Sequence, residues 1–295
     1  MASLSLASHA AIGQSPPMSP RDIPSSMDPA AVAEIDDRLA AIRRDEPVAI
    51  PLAIESGSRA WGFPSPDSDY DCRFIFVRPV EHYLSPWPRR DVIETPLAGE
   101  LDVNGWDLGK ALKLLLKGNA VVIEWLTSPI TYDCDPQFRS DLLALARRTA
   151  DRTLIARHYL HLGERQRRSY FSDARTVPQK KIFYALRPAV ALRWLRHHPG
   201  EAIAPMNFPQ LLAECEPPLE VSDIASQLIA RKAVTRELGS EPLPATIAAF
   251  IDAEFELARA SIPEGGRASD SARAEADAFF LAAVYRLAPR KGGDR

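Results

Sequence analysis

The chain has 295 residues, of which 46% are hydrophobic and 25% are charged. This composition is typical of a globular protein with a sizeable core, and it excludes a mainly disordered chain, a fibrous repeat and a disulfide-stapled miniprotein. The formal net charge of −3 does not indicate a broadly basic nucleic-acid-binding protein, although it leaves a local basic patch open.

Cysteine usage and hydropathy predict a cytoplasmic protein that does not enter a membrane. The three cysteines, Cys72, Cys134 and Cys215, are far apart and lack zinc-site spacing, which fits a reducing compartment. No apolar run approaches the ~18–20 residues of a membrane span. The N-terminus lacks the basic start and the apolar region of a secretory signal.

The first predicted elements are a tail, a helix and a strand. Residues 1–29 are rich in Ser, Pro, Ala and Met without apolar periodicity, which predicts a flexible tail. Segment 48–54 is short and apolar and predicts a strand, in which Pro51 favours an edge or a bulge. Between them a helix is predicted from apolar residues at three- and four-residue spacing, namely Val32, Ile35, Leu39 and Ile42.

Two more strands and a helix follow. Segment 69–77 alternates in polarity and then becomes apolar, as a strand does. Segment 101–103 predicts a third strand, and Asp107 then caps a helix, since aspartate is a favoured N-cap residue. The apolar stripe of that helix consists of Leu108, Ala111, Leu112 and Leu115.

From about residue 140 onward, helical spacing dominates the sequence. The predicted helices cover 142–147, 154–170, 182–195, 224–238, 247–257 and 272–287. We therefore predict an α/β (α+β) protein with three parts. These are a flexible tail at 1–29, a catalytic domain with a small mixed sheet at 30–140, and a helical domain at 141–290.

The chemistry is indicated by a glycine-serine turn followed by an Asp-x-Asp pair. Gly57 and Ser58 follow the first predicted strand, where exposed backbone N–H groups and the serine hydroxyl suit a polyphosphate. Asp69 and Asp71 lie one residue apart on the second strand, so both carboxylates face one side of it. Two such carboxylates suit Mg²⁺, which prefers oxygen ligands.

A third carboxylate would complete a metal site, and two residues compete for this role. Asp102 lies within the short third strand and can share a face with the Asp pair, where it could also act as a base. Asp107 is the rival, but its position before an amphipathic stripe is better explained as a helix cap.

Several stretches resemble a known family. The runs 55–62 and 68–73 resemble the DNA polymerase β-type nucleotidyltransferase superfamily, and more narrowly the predicted nucleotidyltransferases associated with bacterial RNA repair. Segments 102–108 and 180–188 resemble the narrower family too, as do Asn119, the run 124–126 and the pair 128–129. The likeness covers residues 48–200.

This resemblance implies a polymerase β-like domain followed by a helical domain. It also implies transfer of a nucleoside monophosphate from an NTP to a hydroxyl, with Mg²⁺ or Mn²⁺ as the cofactor. Gly57 and Ser58 match the phosphate-holding turn, Asp69 and Asp71 match the metal pair, and Asp102 matches the third carboxylate and catalytic residue.

Basic residues are further candidates for substrate binding. Lys180, Tyr184 and Arg187 share one helix face, which favours a clamp for phosphates, while a solvated charged face is the ordinary alternative. Arg59 and Arg73 lie near the motif and are candidates for contact with the phosphate or the acceptor.

The acceptor stays open at this level. An RNA 3′ end is favoured by the large helical half, which gives room for a nucleic-acid groove. RNA-repair proteins are partners that the resemblance implies. A protein side chain is the alternative, as in nucleotidyltransferase-like antitoxins that modify a toxin. A non-catalytic nucleotide-sensing scaffold is a third reading, which the intact set of three acids disfavours.

Overall fold

The computed structural model describes residues 20–87, 89–97, 99–171, 176–236 and 239–290. Its strands are β1 (Ala49–Glu55), β2 (Tyr70–Val77), β3 (Val92–Glu94), β4 (Leu101–Asp107), β5 (Thr131–Cys134), β6 (Val177–Pro178) and β7 (Ser240–Glu241). Five of them form a sheet in the order β3-β4-β2-β1-β5, while β6 and β7 pair separately. The sheet is mixed, because β2 and β4 are parallel and the other pairs are antiparallel.

Helices make up most of the remaining described chain. They are α1 (Pro29–Asp45), α2 (Gly57–Ala60), α3 (Val80–Leu84), α4 (Leu108–Leu116), α5 (Ala120–Thr127), α6 (Pro136–Thr149), α7 (Arg152–Phe171), α8 (Gln179–His197), α9 (Phe208–Glu214), α10 (Leu219–Val234), α11 (Ala245–Ser261) and α12 (Asp270–Leu287). Within the described ranges, no helix has both the length and the apolar character needed to cross a bilayer.

The first two predicted strands are confirmed as β1 and β2. The structure also decides whether Pro51 lies on an edge strand or at a bulge. Strand β1 lies between β2 and β5, so the edge alternative is wrong. The ladder between β1 and β2 is irregular between Ala49 and Leu52, which confirms the bulge. A proline has no backbone N–H to donate to a ladder, and a bulge removes the need for one.

Elements that the sequence did not predict are short or lack a clear period. The edge strands β3 and β5 have three and four residues. Helix α5 is almost entirely buried, with six of its eight residues in the core. A helix that is apolar all round shows no amphipathic stripe, so the usual pattern is missing there.

The sheet separates two apolar clusters. On one face, α1 packs against alternate residues of β2, including Cys72, Phe74 and Phe76. On the other face, Ile75 and Val77 join a cluster that continues through the helices as far as α12. Because side chains alternate along a strand, Asp71 and Arg73 lie on this second, helix-covered face.

The ends of the predicted parts differ in detail from the structure. Residues 1–19 of the predicted tail lie outside the described residues. The rest of that segment contacts the folded chain, since Asp22 pairs with Thr131 and Met27 is buried. Helix α6 spans residue 140, and one apolar cluster includes residues from both sides of it, so the domain boundary stays a prediction.

Candidate active site

The site begins at the turn that follows β1. Gly57 has a positive φ of 59° and starts the short helix α2. The N–H of Ser56 donates to the carbonyl of Asp71 at 2.9 Å, which ties the turn to β2. A Cβ on Gly57 would lie 2.0 Å from Oδ2 of Asp71. Glycine is therefore required here both by its backbone conformation and by the approach of the carboxylate.

We expect Gly57→Ala to destabilise the protein by about 2 kcal/mol, since a left-handed alanine costs about 1 kcal/mol and the Asp71 carboxylate must also move. Gly99→Ala is the matched control, because Gly99 has a φ of 60° and no atom within 4 Å of its Cβ position. Urea unfolding gives the loss of stability in each variant, and the difference between the two losses is the cost of the clash with Asp71. Equal losses of stability in the two would contradict the prediction.

Two strands and the loop before them bring three carboxylates near this turn. Asp69 and Asp71 line one cleft, and Asp71 pairs with Asp102 in the register of the parallel strands β2 and β4. One nitrogen of Arg73 lies 2.9 Å from Oδ1 of Asp71 and 2.7 Å from Oδ2 of Asp102. Burial raises the pKa of Asp71, and Arg73 opposes this while Asp102 and Asp69 add to it.

The structure separates the two candidates for the third carboxylate. Asp107 caps α4, as predicted, by accepting from the N–H of Gly109 at 2.8 Å, and it also accepts from the hydroxyl of Tyr83 at 2.8 Å. It lies five residues beyond Asp102 on β4, a distance of about 16 Å along a strand. Asp102 is therefore the carboxylate that lies beside Asp71.

Glu55 is a part of the motif to which the sequence assigned no role. Its side chain is fully buried and accepts from the backbone N–H of Asp71 at 2.8 Å and from the hydroxyl of Tyr132 at 2.5 Å. Burial raises the pKa of Glu55 to about 7. An acid at the end of an otherwise apolar strand is the signal that could have identified it, since buried carboxylates need dedicated partners.

A cleft of about 570 Å³ gathers many of the predicted site residues. The predicted residues that line it are Gly57, Ser58, Asp69, Asp71, Lys180 and Arg187. Asp102, Arg59 and Arg73 are not among its lining residues. The cleft also contains residues without an assigned role in the sequence, namely Trp61, Asp67, Gln166, Lys181 and Lys232.

Arg59 has a different place from the one expected for a substrate ligand. It donates to the carbonyls of Ser68 at 2.6 Å and Asp69 at 3.2 Å, and its guanidinium lies 3.8 Å from the ring centre of Tyr70. It lines a separate cavity of about 850 Å³. Arg59 thus holds the loop that carries Asp69, just as Arg73 holds Asp71 and Asp102, because each guanidinium is used by nearby oxygen atoms.

The hydroxyl of Ser58 is also engaged within this loop. Its Oγ lies 2.9 Å from Oγ of Ser68, which in turn accepts from the N–H of Ser65 at 2.8 Å. These bonds fix the turn and the following loop to each other, so that the floor of the cleft is formed in advance.

Lysines form the cationic wall of the cleft. Lys180 and Lys181 lie in the first turn of α8, and Lys232 reaches the cleft from the last turn of α10. Lys232 is 5% exposed and donates to the carbonyl of Phe63 at 2.6 Å. Burial lowers the pKa of Lys232 to about 8, although Asp67 opposes this. Nothing in the sequence around Lys232 distinguishes it from a surface lysine of an amphipathic helix.

The carboxylates can be tested for their fit to a divalent cation. Among the described residues, no group of three or more His, Cys, Asp or Glu side chains is arranged to hold a metal ion. Oδ1 of Asp67, however, is buried beside the cleft and has no hydrogen-bond partner within that part of the chain. Asp69 and Asp71 line the same cleft and offer the carboxylate oxygen atoms that Mg²⁺ prefers, and substrate phosphates commonly supply the remaining ligands.

Comparison with known proteins agrees with this geometry. The family model of the RNA repair pathway DNA polymerase beta family matches residues 32–282. The uncharacterized protein YcgL of Bacillus subtilis (strain 168) is 39% identical over 222 residues, which are 75% of this chain and 84% of that protein. The region that the family model matches includes the turn, the Asp pair and all three lysines of the cleft. The chain therefore belongs to the RNA repair pathway DNA polymerase beta family.

Proposed function

We propose that the protein transfers a nucleoside monophosphate from an NTP to a hydroxyl acceptor, and that the acceptor is an RNA end. The observation that carries this proposal is one cleft in which the Asp71 carboxylate lies against Gly57 and Lys180 and Lys232 form the opposing charge. Carboxylates that hold a cation and lysines that hold phosphates are the two halves of a phosphoryl-transfer site.

In the proposed reaction, the acceptor oxygen forms a bond to the α-phosphorus, and the bond to the β-phosphate oxygen breaks. Pyrophosphate leaves with that electron pair, and the hydroxyl proton passes to the carboxylate of Asp102. Bound Mg²⁺ or Mn²⁺ would supply charge neutralisation and a more acidic hydroxyl. Asp69 and Asp71 would hold the cation, and Gly57 and Ser58 would hold the triphosphate. Arg73 would keep β2 and β4 at their spacing by bridging Asp71 and Asp102.

The acceptor and the setting are proposed on the family's description. A family assigned to RNA repair favours an RNA end as acceptor and RNA-repair proteins as partners. Three free, buried cysteines fit a reducing compartment, which supports the cytoplasm. A protein acceptor and a nucleotide-sensing scaffold are the outcomes that would replace this proposal.

The test is label transfer from each α-labelled NTP, with Mg²⁺ or Mn²⁺, to total RNA and to cell protein. We expect label on RNA that is lost in the double variant Asp69→Asn/Asp71→Asn. Label on protein would move the proposal to a protein-modifying enzyme. Absence of label on both, with NTP still bound, would support the sensing scaffold.

Replacement of Lys232 tests the phosphate wall separately. We expect Lys232→Met to weaken binding of inorganic tripolyphosphate by about tenfold, the effect of one charge-assisted contact. Stability should change by less than about 1 kcal/mol, because removal of a charge that burial disfavours offsets the lost bond to Phe63. Calorimetric titration and thermal unfolding measure the two effects, and unchanged tripolyphosphate affinity would refute the role of Lys232.

A further inference from the structure

A buried ion pair lies in the cleft, about two helical turns along α8 from Lys180. Arg187 is 4% exposed and Glu124 is 5% exposed, and they are 2.8 Å apart. Both residues line the cleft. A buried ion pair gives little net stability by itself, so its position in a substrate cleft calls for a functional explanation.

The pairing makes Arg187 a poor ligand for phosphate. Its positive charge is balanced by Glu124, and that carboxylate would repel a phosphate brought to the same place. Among the described residues, the lysines of the cleft without an ion-pair partner are Lys180 and Lys181, at the start of α8, and Lys232 on α10. Arg187 lies seven residues after Lys180, about 10 Å along the helix axis. The cleft therefore has a cationic end and an electrically balanced end.

The balanced end contains an unpaired donor and a weakly paired acceptor. Nε of Arg187 is buried and has no hydrogen-bond partner among the described residues. Oε2 of Glu124 accepts only a long contact, 3.4 Å from the indole nitrogen of Trp61. A hydrogen-bond donor next to an acceptor is the pattern that the edge of a nucleobase complements.

The walls of this end suit a flat, apolar ring. Trp61 and Tyr184 are partly exposed there, with ring centres 6.4 Å apart at nearly a right angle. The guanidinium of Arg187 lies 4.8 Å from the ring centre of Trp61. Val121, Leu162 and Pro188 add apolar lining to the cleft, and Nζ of Lys181 lies 4.6 Å from the ring centre of Tyr184. Stacking against aromatic side chains is a common way of holding a base.

We propose that Glu124, Arg187 and Trp61 form the seat of the nucleobase, and that the triphosphate extends toward Lys180 and Lys232. This assignment rests on the proposed function and adds to it a direction of the nucleotide and the residues that select the base. In this arrangement Arg187 contacts the base. The helix face that it shares with Lys180 had by itself suggested a phosphate clamp instead.

The test compares ligands with and without a base. Calorimetry measures binding of ATP, GTP, CTP, UTP and inorganic tripolyphosphate, each with Mg²⁺ and without an acceptor. We expect the wild-type protein to bind one or more NTPs more tightly than tripolyphosphate. Glu124→Gln should weaken binding of the preferred NTP by about tenfold or more and reduce the differences in affinity among the four NTPs, while the affinity for tripolyphosphate does not decrease.

Two other variants give the contrast. Lys232→Met should weaken binding of tripolyphosphate and of all four NTPs by a similar factor, and the order of the NTP affinities should stay the same. Glu254→Gln is the matched control, because Glu254 is a buried carboxylate paired with Arg193 at 3.0 Å and Arg196 at 2.8 Å outside the cleft. It should change no affinity. If Glu124→Gln does not fold, Glu124→Gln/Arg187→Met removes both buried charges together and should show the same loss of base preference.

The outcomes separate this inference from the proposed function. Equal weakening of NTPs and tripolyphosphate in Glu124→Gln, or an unchanged NTP preference in it, would overturn the base seat. The base seat would also be overturned if the wild-type protein bound tripolyphosphate as tightly as every NTP. Label transfer would in that case still support the proposed nucleotidyl-transfer activity. Failure to bind any of the five ligands would overturn both.

Discussion

Asp71→Asn is expected to lower nucleotidyl transfer by about 10³-fold, the effect typical of losing a principal charge-stabilising group. Asp71 lines the cleft and lies against Gly57, so its carboxylate has the most direct access to both a cation and the triphosphate. The amide keeps the size of the side chain but offers one neutral oxygen instead of two charged ones. Initial rates of label transfer at saturating NTP measure the effect.

The same substitution should leave the fold intact. Burial and the neighbouring carboxylates raise the pKa of Asp71, so the metal-free protein does not gain from this charge, and Arg73 keeps Asp102 as its partner. We expect the free energy of unfolding to change by less than about 1 kcal/mol. Asp133→Asn is the control, since Asp133 lies on β5 and pairs with Arg43 outside the cleft. Transfer that survives in Asp71→Asn would refute the proposed role.

Glu55→Gln is expected to change how stability depends on pH. The pKa of Glu55 is raised from 4.5 to about 7 in the folded protein, so the folded state binds a proton that the unfolded state releases. Its contribution is complete below about pH 4.5 and is lost as the pH rises through 7. A difference of about 2.5 units corresponds to about 3 kcal/mol.

The measurement is urea unfolding of both proteins at pH 4.5 and pH 8. Glutamine carries no charge, and the hydroxyl of Tyr132 can turn to accept from its amide, so the variant should keep its fold. Relative to the variant, the wild-type protein should lose about 3 kcal/mol between the two pH values. A wild-type-minus-variant difference that is the same at both pH values would rule out the role given to Glu55.

Local patterns predicted much of the framework. The period of two in segment 69–77, the cap at Asp107 and the apolar stripes of the later helices depend only on residues within a few positions of each other. They were confirmed because such patterns describe one element and its buried face. The shared face of Asp71 and Asp102 follows a local rule, since side chains alternate along each strand, whereas the register that pairs the two residues is set by the tertiary structure.

The sequence by itself therefore determined the strands β1 and β2, the start of β4 and the cap at Asp107, and it predicted the carboxylate motif. Only the tertiary structure decided what surrounds that motif. Lys232 meets Phe63 across 169 residues of chain, and Arg187 meets Glu124 across 63. Contacts of such separation leave no periodic trace in the sequence, because they are selected by the packing of whole helices. The same packing decided that Arg59 and Arg73 turn to nearby oxygen atoms and that Glu55 is buried against Tyr132 of another strand.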